Sequence, residues 1–522
     1  MPATPHMPGY DAVAVPVLDS TLGNTDIMTR ISLTFPTQLS IALLQDSWYE
    51  LVRAWPILAA RVRHTPSTPS GLSFLIPQPG KVKELEQRSR TTLKDEEKHI
   101  VIVDASSRSI ASFHPIAAKA VESSFSRDTV SVGAAPGSAD SLKMTCSNAT
   151  TSLKQLLGAD QAYITAQATV WSDATTITLA FSHIAGDAFS VKAIFEAWRR
   201  TIESTAPAPL QGIGVDPFIA YLPPHGKKSK SEDTEKEKQA ERDVGLPLGF
   251  FQYGFIDKVR LAWNLISDIK IKRPEKEFGQ YYMYMPAEKV EALMVQARAD
   301  VDALVSASDD SEKQALDTRI STFNVLLAWL LQNIHAANPK RKRMSTVMTI
   351  VNAKTRPPAR HDPSDYPPHQ LWGGALGVPL EPLASGDYAS LPLGQLALHI
   401  RTSLTAQIDP ENMQANIVTL LRHTLWAKPS GKLVFFARPN HYLSGCTEWR
   451  STRFGEVDFG AAAAPSSSVK PVAIGTDMQI GVSKRNRWVI FGEMGGGVWF
   501  SGFMTHKEAT HRDGFGRYHH VQ

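Results

Sequence analysis

Cysteine is almost absent from this chain: Cys146 and Cys446 are the only two among 522 residues. That excludes a disulfide framework and any zinc site built on thiolates, and it points to a reducing compartment, taken here as the cytoplasm. No metal site is expected. A long uninterrupted apolar run is missing too. The best candidate, Leu246 to Ile269, carries Asp257, Lys258, Arg260 and Asp268, too many charges for a helix that crosses a bilayer. The opening MPATPHMPGYDAVAVPVLDS has no basic stretch leading into an apolar core, so no signal peptide is expected. Neither charge dominates. The chain has 55 Lys and Arg against 51 Asp and Glu, a net +4, which gives no reason to expect nucleic acid or bulk membrane as a partner.

Apolar residues make up 43% of the chain, and at this length they divide most naturally into two cores. The expected division is 1–205, a connecting stretch at 206–275, and 276–522. The connection has Pro207, Pro209, Pro217, Pro223 and Pro224, then GKKSKSEDTEKEKQAERD, charged in both signs and unable to bury a core. After it, Phe250, Phe251, Tyr253, Phe255 and Trp263 fall in a tract that reads as an amphipathic helix. Lid, partner surface and peripheral membrane contact are open roles for that tract; a helix packed on its own domain is the expectation. The Ser/Gly/Ala-rich stretch Ser131 to Ser141 reads as a surface loop, and KRKR at 340 to 343 as an exposed turn. GEMGGG lies between two strands with no helix after it, so it is a hairpin turn and not a nucleotide loop.

One stretch combines two periods. From Thr176 to Ser182, Ile177, Leu179 and Phe181 alternate with Thr176, Thr178 and Ser182, the pattern of a half-buried strand. Beyond Asp187, Val191, Ile194, Phe195 and Trp198 fall at helical spacing. His183 therefore sits at a strand-to-helix turn, where packed elements on both sides can hold a general base. A core histidine, with Asp187 or Ser190 capping the helix, fits the same spacing.

The segment QATVWSDATTITLAFSHIAGD resembles the hairpin that leads into the HxxxD motif of the BAHD family of plant and fungal acyl-CoA-dependent acyltransferases. Other landmarks follow in the family's order. LVRAWPILAARV and ISTFNVLLAWLLQNI resemble two of its helical segments, the second capped by Ser321 or Thr322. STVMTIVNAKTRPP resembles the strand ending in Arg-x-Arg, with Lys354 at the first arginine and Arg356 at the second. LWGGALGVPL resembles its Tyr-x-Gly-Asn turn, with Gly374 where asparagine is usual. CTEWRSTRFGEVDFGAAA, about 270 residues after the histidine, resembles the stretch containing Thr447, Trp449 and the triplet Asp458, Phe459, Gly460. The chain departs from the family at Ala188, where glycine usually follows the aspartate, and at Ala461 and Ala462, which replace the tryptophan and second glycine of DFGWG.

The resemblance implies an α/β fold of two chloramphenicol-acetyltransferase-like domains, each a mixed sheet with flanking helices, joined by a long crossover. It implies a monomeric enzyme moving an acyl group, most simply acetyl, from acyl-CoA to a hydroxyl of a secondary metabolite such as a terpenoid or polyketide. No permanently bound cofactor is implied. His183 would be the base, Asp187 would fix the turn by pairing with a basic residue, and Thr447 and Trp449 would shape the acceptor pocket. Asp458, Phe459, Gly460 and Arg356 would be structural. Ser182 points away from His183 on an alternating strand, which disfavours a Ser/His pair, so a ternary complex without an acyl-enzyme is expected. A repurposed binding protein, an amide-forming variant and a condensation-type enzyme are the alternative readings.

Overall fold

The computed structural model describes residues 7–92, 94–137, 143–222, 245–307, 318–337, 342–356, 371–465, 467–480 and 484–521. The charged insert at 226–243 and the first half of the KRKR run lie outside them.

Two large sheets organise the described residues. The first has five strands in the order Ala473–Ile480, Ile27–Phe35, Thr175–Ser182, Ile164–Trp171 and Ile100–Ala105, antiparallel except for the last pair. The helices Ile41–Ala54 and Ala188–Ile202 pack together beside it, with the rings of Trp48 and Trp198 edge to face at 4.8 Å and Trp198 Nε1 donating to Ser47 Oγ. The second sheet is longer. Ala375–Pro379, Met344–Asn352, Tyr442–Glu448, Arg487–Met494, Gly497–Thr505, Phe278–Pro286, Ser131–Ala134 and His519–Val521 follow one another, and the short Leu383–Ala384 pairs off this path with Met344–Asn352. The helices Thr322–His335 and Leu393–Gln407 share a core with it around Leu326, Leu330, Leu396 and Phe500. Gly495 and Gly496, with φ of 61° and 82°, close the last hairpin as the glycines of GEMGGG suggest.

Each sheet takes a strand from the other half of the chain. Ala473–Ile480 joins the first sheet beside Ile27–Phe35, and Ser131–Ala134 joins the second beside Phe278–Pro286. The stretch expected to be a loop from Ser131 is therefore a strand over its first four residues, the first three of them buried. Its side chains are too small to signal burial, and its stability comes from a partner some 150 residues away. The Thr175–Ser182 strand also differs from expectation, since all eight of its residues are buried. Two of the hydroxyls on its polar face are paired: Ser32 Oγ and Thr178 Oγ1 lie 2.8 Å apart, and Trp171 Nε1 donates to Thr176 Oγ1. Buried hydroxyls paired in this way escape the desolvation cost that would otherwise keep that face in water.

Tyr282 fastens the two sheets. Its hydroxyl donates to the Thr476 carbonyl at 2.9 Å and accepts from the Thr476 amide at 3.1 Å. Replacing it by phenylalanine takes the acceptor from the buried Thr476 amide, while the carbonyl keeps Gln280 Nε2 as a donor. Tyr282→Phe is expected to lower the stability of the folded protein by about 1–3 kcal/mol, measured as the shift of the urea unfolding midpoint.

Candidate active site

The strand Thr175–Ser182 ends in a single tight turn, His183–Ala185, before the helix begins at Ala188. The turn depends on Gly186, whose φ is 126°. A Cβ there would lie 1.9 Å from the Leu371 carbonyl oxygen and 2.2 Å from Ser190 Oγ, so neither backbone nor space admits another residue. Ala188 lies in the first helical turn, one position past the cap, and is buried. The glycine that the family usually has there is not what the turn's geometry requires.

Asp187 caps the helix. Its Oδ1 accepts from the amides of Phe189 at 3.0 Å and Ser190 at 3.2 Å, while its own amide donates to Ser190 Oγ. Its Oδ2 turns the other way, accepting from the Gly374 amide at 3.1 Å and lying 3.6 Å from Lys354 Nζ. Burial alone would raise the Asp187 carboxyl. Lys354 and the amides of Gly374 and Ser190 outweigh it and hold the group below the ordinary carboxylate value. Lys354 also donates to the Trp372 carbonyl. The carboxylate thus joins the His183 turn to two segments of the other half of the chain. A Cβ at Gly374 would lie 2.6 Å from Asn352 Oδ1 and 2.8 Å from Lys354 Cγ, so glycine in place of the usual asparagine makes room for this lysine.

His183 stands beside that lock and is partly exposed. Its Nδ1 is buried and has no hydrogen-bond partner on another residue among the described residues. Burial is the largest influence on the ring and lowers its pKa from the ordinary value. The Asp187 charge and the residue's own carbonyl act in the opposite sense. Ser182 Oγ is buried without a hydrogen-bond partner among the described residues, so it is not paired with the ring.

The other predicted residues fall into two groups. Thr447 and Trp449 lie at and just beyond the end of Tyr442–Glu448, both partly exposed. The Trp449 amide donates to the Ile490 carbonyl, and its ring meets Phe491 at 5.4 Å. The helix after His183 reaches this corner through Phe195, whose ring meets Phe454 at 6.2 Å. Arg356 is exposed and is not the residue brought to Asp187; its charge acts on Glu448, whose carboxyl burial raises against the pull of Arg450 and Arg356. The DFG segment builds a turn. Asp458 Oδ1 accepts from the amides of Gly460 and Val469, both at 2.8 Å, and Oδ2 accepts from Ser468 Oγ. Phe459 stacks on Phe35 at 5.1 Å and meets Trp198 edge-on. A Cβ at Gly460 would come 1.7 Å from the Ser467 carbonyl oxygen. Ala462 is buried, and its carbonyl accepts from the amide of Ser40, the N-cap of Ile41–Ala54.

Sequence reasoning missed Asp19. It is buried, accepts from the Gly373 amide at 2.9 Å, and sits next to the lock; desolvation pushes its carboxyl well above the ordinary value. One acidic residue in the apolar run AVAVPVLDS was the available signal.

Two stability outcomes follow from the lock. Gly186→Ala should cost about 1–3 kcal/mol from forced backbone strain alone. Lys354→Met should cost about 3 kcal/mol because it leaves a buried carboxylate without its cation, and adding Asp187→Asn should recover part of that loss. Urea unfolding of the single and double variants measures both.

No family model matches the chain. It is 92% identical over its full length, and that of the relative, to acetyltransferase MAT1 of Pseudozyma antarctica (strain T-34). It is 54% identical to acetyltransferase MATC1 of Mycosarcoma maydis, over 98% of each chain. Among solved structures it resembles F. graminearum TRI101 complexed with coenzyme A and deoxynivalenol, with a TM-score of 0.61 at 12% identity over 97% of this chain and 99% of the other. It also resembles vinorine synthase, with a TM-score of 0.57 at 14% identity over 98% and 94%. At such identities the structural likeness establishes the fold.

Proposed function

The chain belongs to the BAHD family of acyl-CoA-dependent acyltransferases, and from that premise we propose that it transfers an acetyl group from acetyl-CoA to a hydroxyl of a small-molecule acceptor, with His183 as general base. The family has the fold of two chloramphenicol-acetyltransferase-like domains, and acyl-CoA is the co-substrate. Relatives named acetyltransferases support the choice of acyl group. The neighbour solved with coenzyme A and deoxynivalenol supports a small-molecule acceptor.

One observation carries the reading. The His183 ring is held at a glycine-dependent turn, with Nδ1 buried and bonded to no other residue among the described residues. A proton resting on Nδ1 leaves the lone pair on Nε2. In the proposed reaction Nε2 removes the acceptor's hydroxyl proton as the oxygen attacks the thioester carbonyl. The carbon–sulfur bond then breaks, and the imidazolium gives that proton to the departing thiolate, leaving an ester and free CoA. Asp187 has no free oxygen with which to act as a second base, so it positions the ring. Thr447 and Trp449 would line the acceptor side.

His183→Ala is expected to slow CoA release by about 10²–10⁴-fold with folding intact, checked by thiol titration during turnover with acetyl-CoA. Full activity in that variant removes the mechanism. The pH profile gives an independent test. The base works when neutral and its pKa lies below 6.5, so the acid limb of kcat/KM should fall below pH 6.5. In Asp187→Asn the charge that favours the protonated ring is gone, and the limb should move lower still.

A further inference from the structure

The helix Phe255–Ser267 is turned inside out. Apart from Lys258 and Arg260 at its borders, its polar residues face the protein: Asn264 Nδ2 donates to the Pro439 carbonyl, Ser267 is buried, and Asp268, the next residue, pairs with Arg273 at 2.8 Å and Arg485 at 3.2 Å. Its apolar residues face outward. Phe255 is 81% exposed, Trp263 66% and Ile256 64%, with Val259 and Ile266 completing the stripe and Ile271 exposed just beyond it. A helix on a water-facing surface does the reverse, and a contiguous apolar patch of this kind marks a docking surface. The expectation of a helix packed through its apolar face onto its own domain is therefore corrected. The polar side chains, through Asn264 and the Asp268 ion pairs, hold the helix down.

The charges select the occupant. Lys258 and Arg260 flank Val259, each about 100° around the helix from it, so they border the apolar face on both sides. Lys270 and Lys272 are exposed in the turn that follows. The two acids of this stretch are turned in: Asp257 is partly buried against the Gly254 amide, and Asp268 is ion-paired. The exposed charges from Phe255 to Lys272 are all positive. A second copy of the chain would set this basic rim against itself. The chain's own charged insert, GKKSKSEDTEKEKQAERD, has one alanine and no larger apolar side chain to lay on the stripe. An apolar stripe with aromatic anchors and a basic border matches the boundary layer of an anionic bilayer. Among the described residues no helix is long and apolar enough to cross a membrane.

We propose that Phe255–Ser267 docks the enzyme on anionic lipid surfaces, with Phe255, Ile256, Val259, Trp263 and Ile266 in the acyl boundary and Lys258, Arg260, Lys270 and Lys272 on headgroup phosphates. Flotation of the full chain with vesicles of phosphatidylcholine, alone and mixed with phosphatidylserine, tests this. Binding should appear with the anionic vesicles and weaken with salt. It should fall about tenfold or more in Trp263→Glu/Ile266→Glu, and by a similar factor in Lys258→Glu/Arg260→Glu. Melting temperature and acetyl-CoA turnover should be unchanged in both variants, because the altered side chains are exposed. Three results overturn the proposal: wild type that stays with the buffer, a Trp263→Glu/Ile266→Glu variant that floats as wild type does, or a wild-type dimer in sedimentation velocity that this variant splits.

Discussion

The buried carboxylate of Asp187 ties the two halves of this protein together beside His183. Ionised Asp187 would be costly in such a setting without partners. It has two amides at the N-terminus of its own helix, the Gly374 amide, and Lys354 from the strand-end loop of the second sheet. The helix end favours the negative charge, and the lysine neutralises it. The lock also fixes the backbone on both sides of Gly186, so the position of the His183 ring is set by charge pairing across the molecule as well as by the local turn. Asp19, bonded to Gly373 next door, extends the same arrangement with a carboxyl that burial pushes toward protonation. Two carboxyls close together, one held ionised and one pushed toward protonation, avoid the repulsion that two buried anions would suffer.

Much of this was legible in the sequence where local pattern suffices. The strand, the turn and the helix around His183 were visible because a period of two gives way to a period of 3.6 at Asp187. The segment Asp458, Phe459, Gly460 was visible as a motif, and its hydrogen bonds and ring stacking explain why those residue types stand there. The partner of Asp187 was not visible. The resemblance put Lys354 and Arg356 in the same strand-end segment, and only the fold distinguishes them: Lys354 turns toward Asp187 while Arg356 faces solvent near Glu448. Asp19 was illegible for the same reason, since its partner lies 354 positions away.

The strand exchange and the inverted helix show two other limits. Ser131–Ala134 has no pattern of its own because SVGA is short and small, and its strand character is conferred by Phe278–Pro286. Periodicity did identify a two-faced helix after the charged insert. A period tells which residues share a face and is silent on what that face meets. The usual assumption that apolar means inward failed there because Asn264 and Asp268 find polar partners on the body, whereas Phe255 and Trp263 stay exposed among the described residues.

The buried setting of His183 has opposite consequences for the two proton steps of the proposed reaction. Lowering the pKa of the ring makes it a weaker base toward an alcohol, whose proton is far less acidic than an imidazolium's, so abstraction must be concerted with attack on the thioester. The same shift makes the imidazolium a stronger acid toward a thiolate, whose ordinary conjugate acid has a pKa of about 8.5, so the return of the proton runs downhill. It also keeps the ring neutral at physiological pH, the form in which it can begin a cycle. Asp187 tempers the shift in the other direction without bonding to the ring. Moved close enough to bond, it would raise the basicity of the ring but lose the Gly374 amide and Lys354, and with them the clasp that positions it. The observed arrangement keeps the clasp and leaves the ring a moderate base.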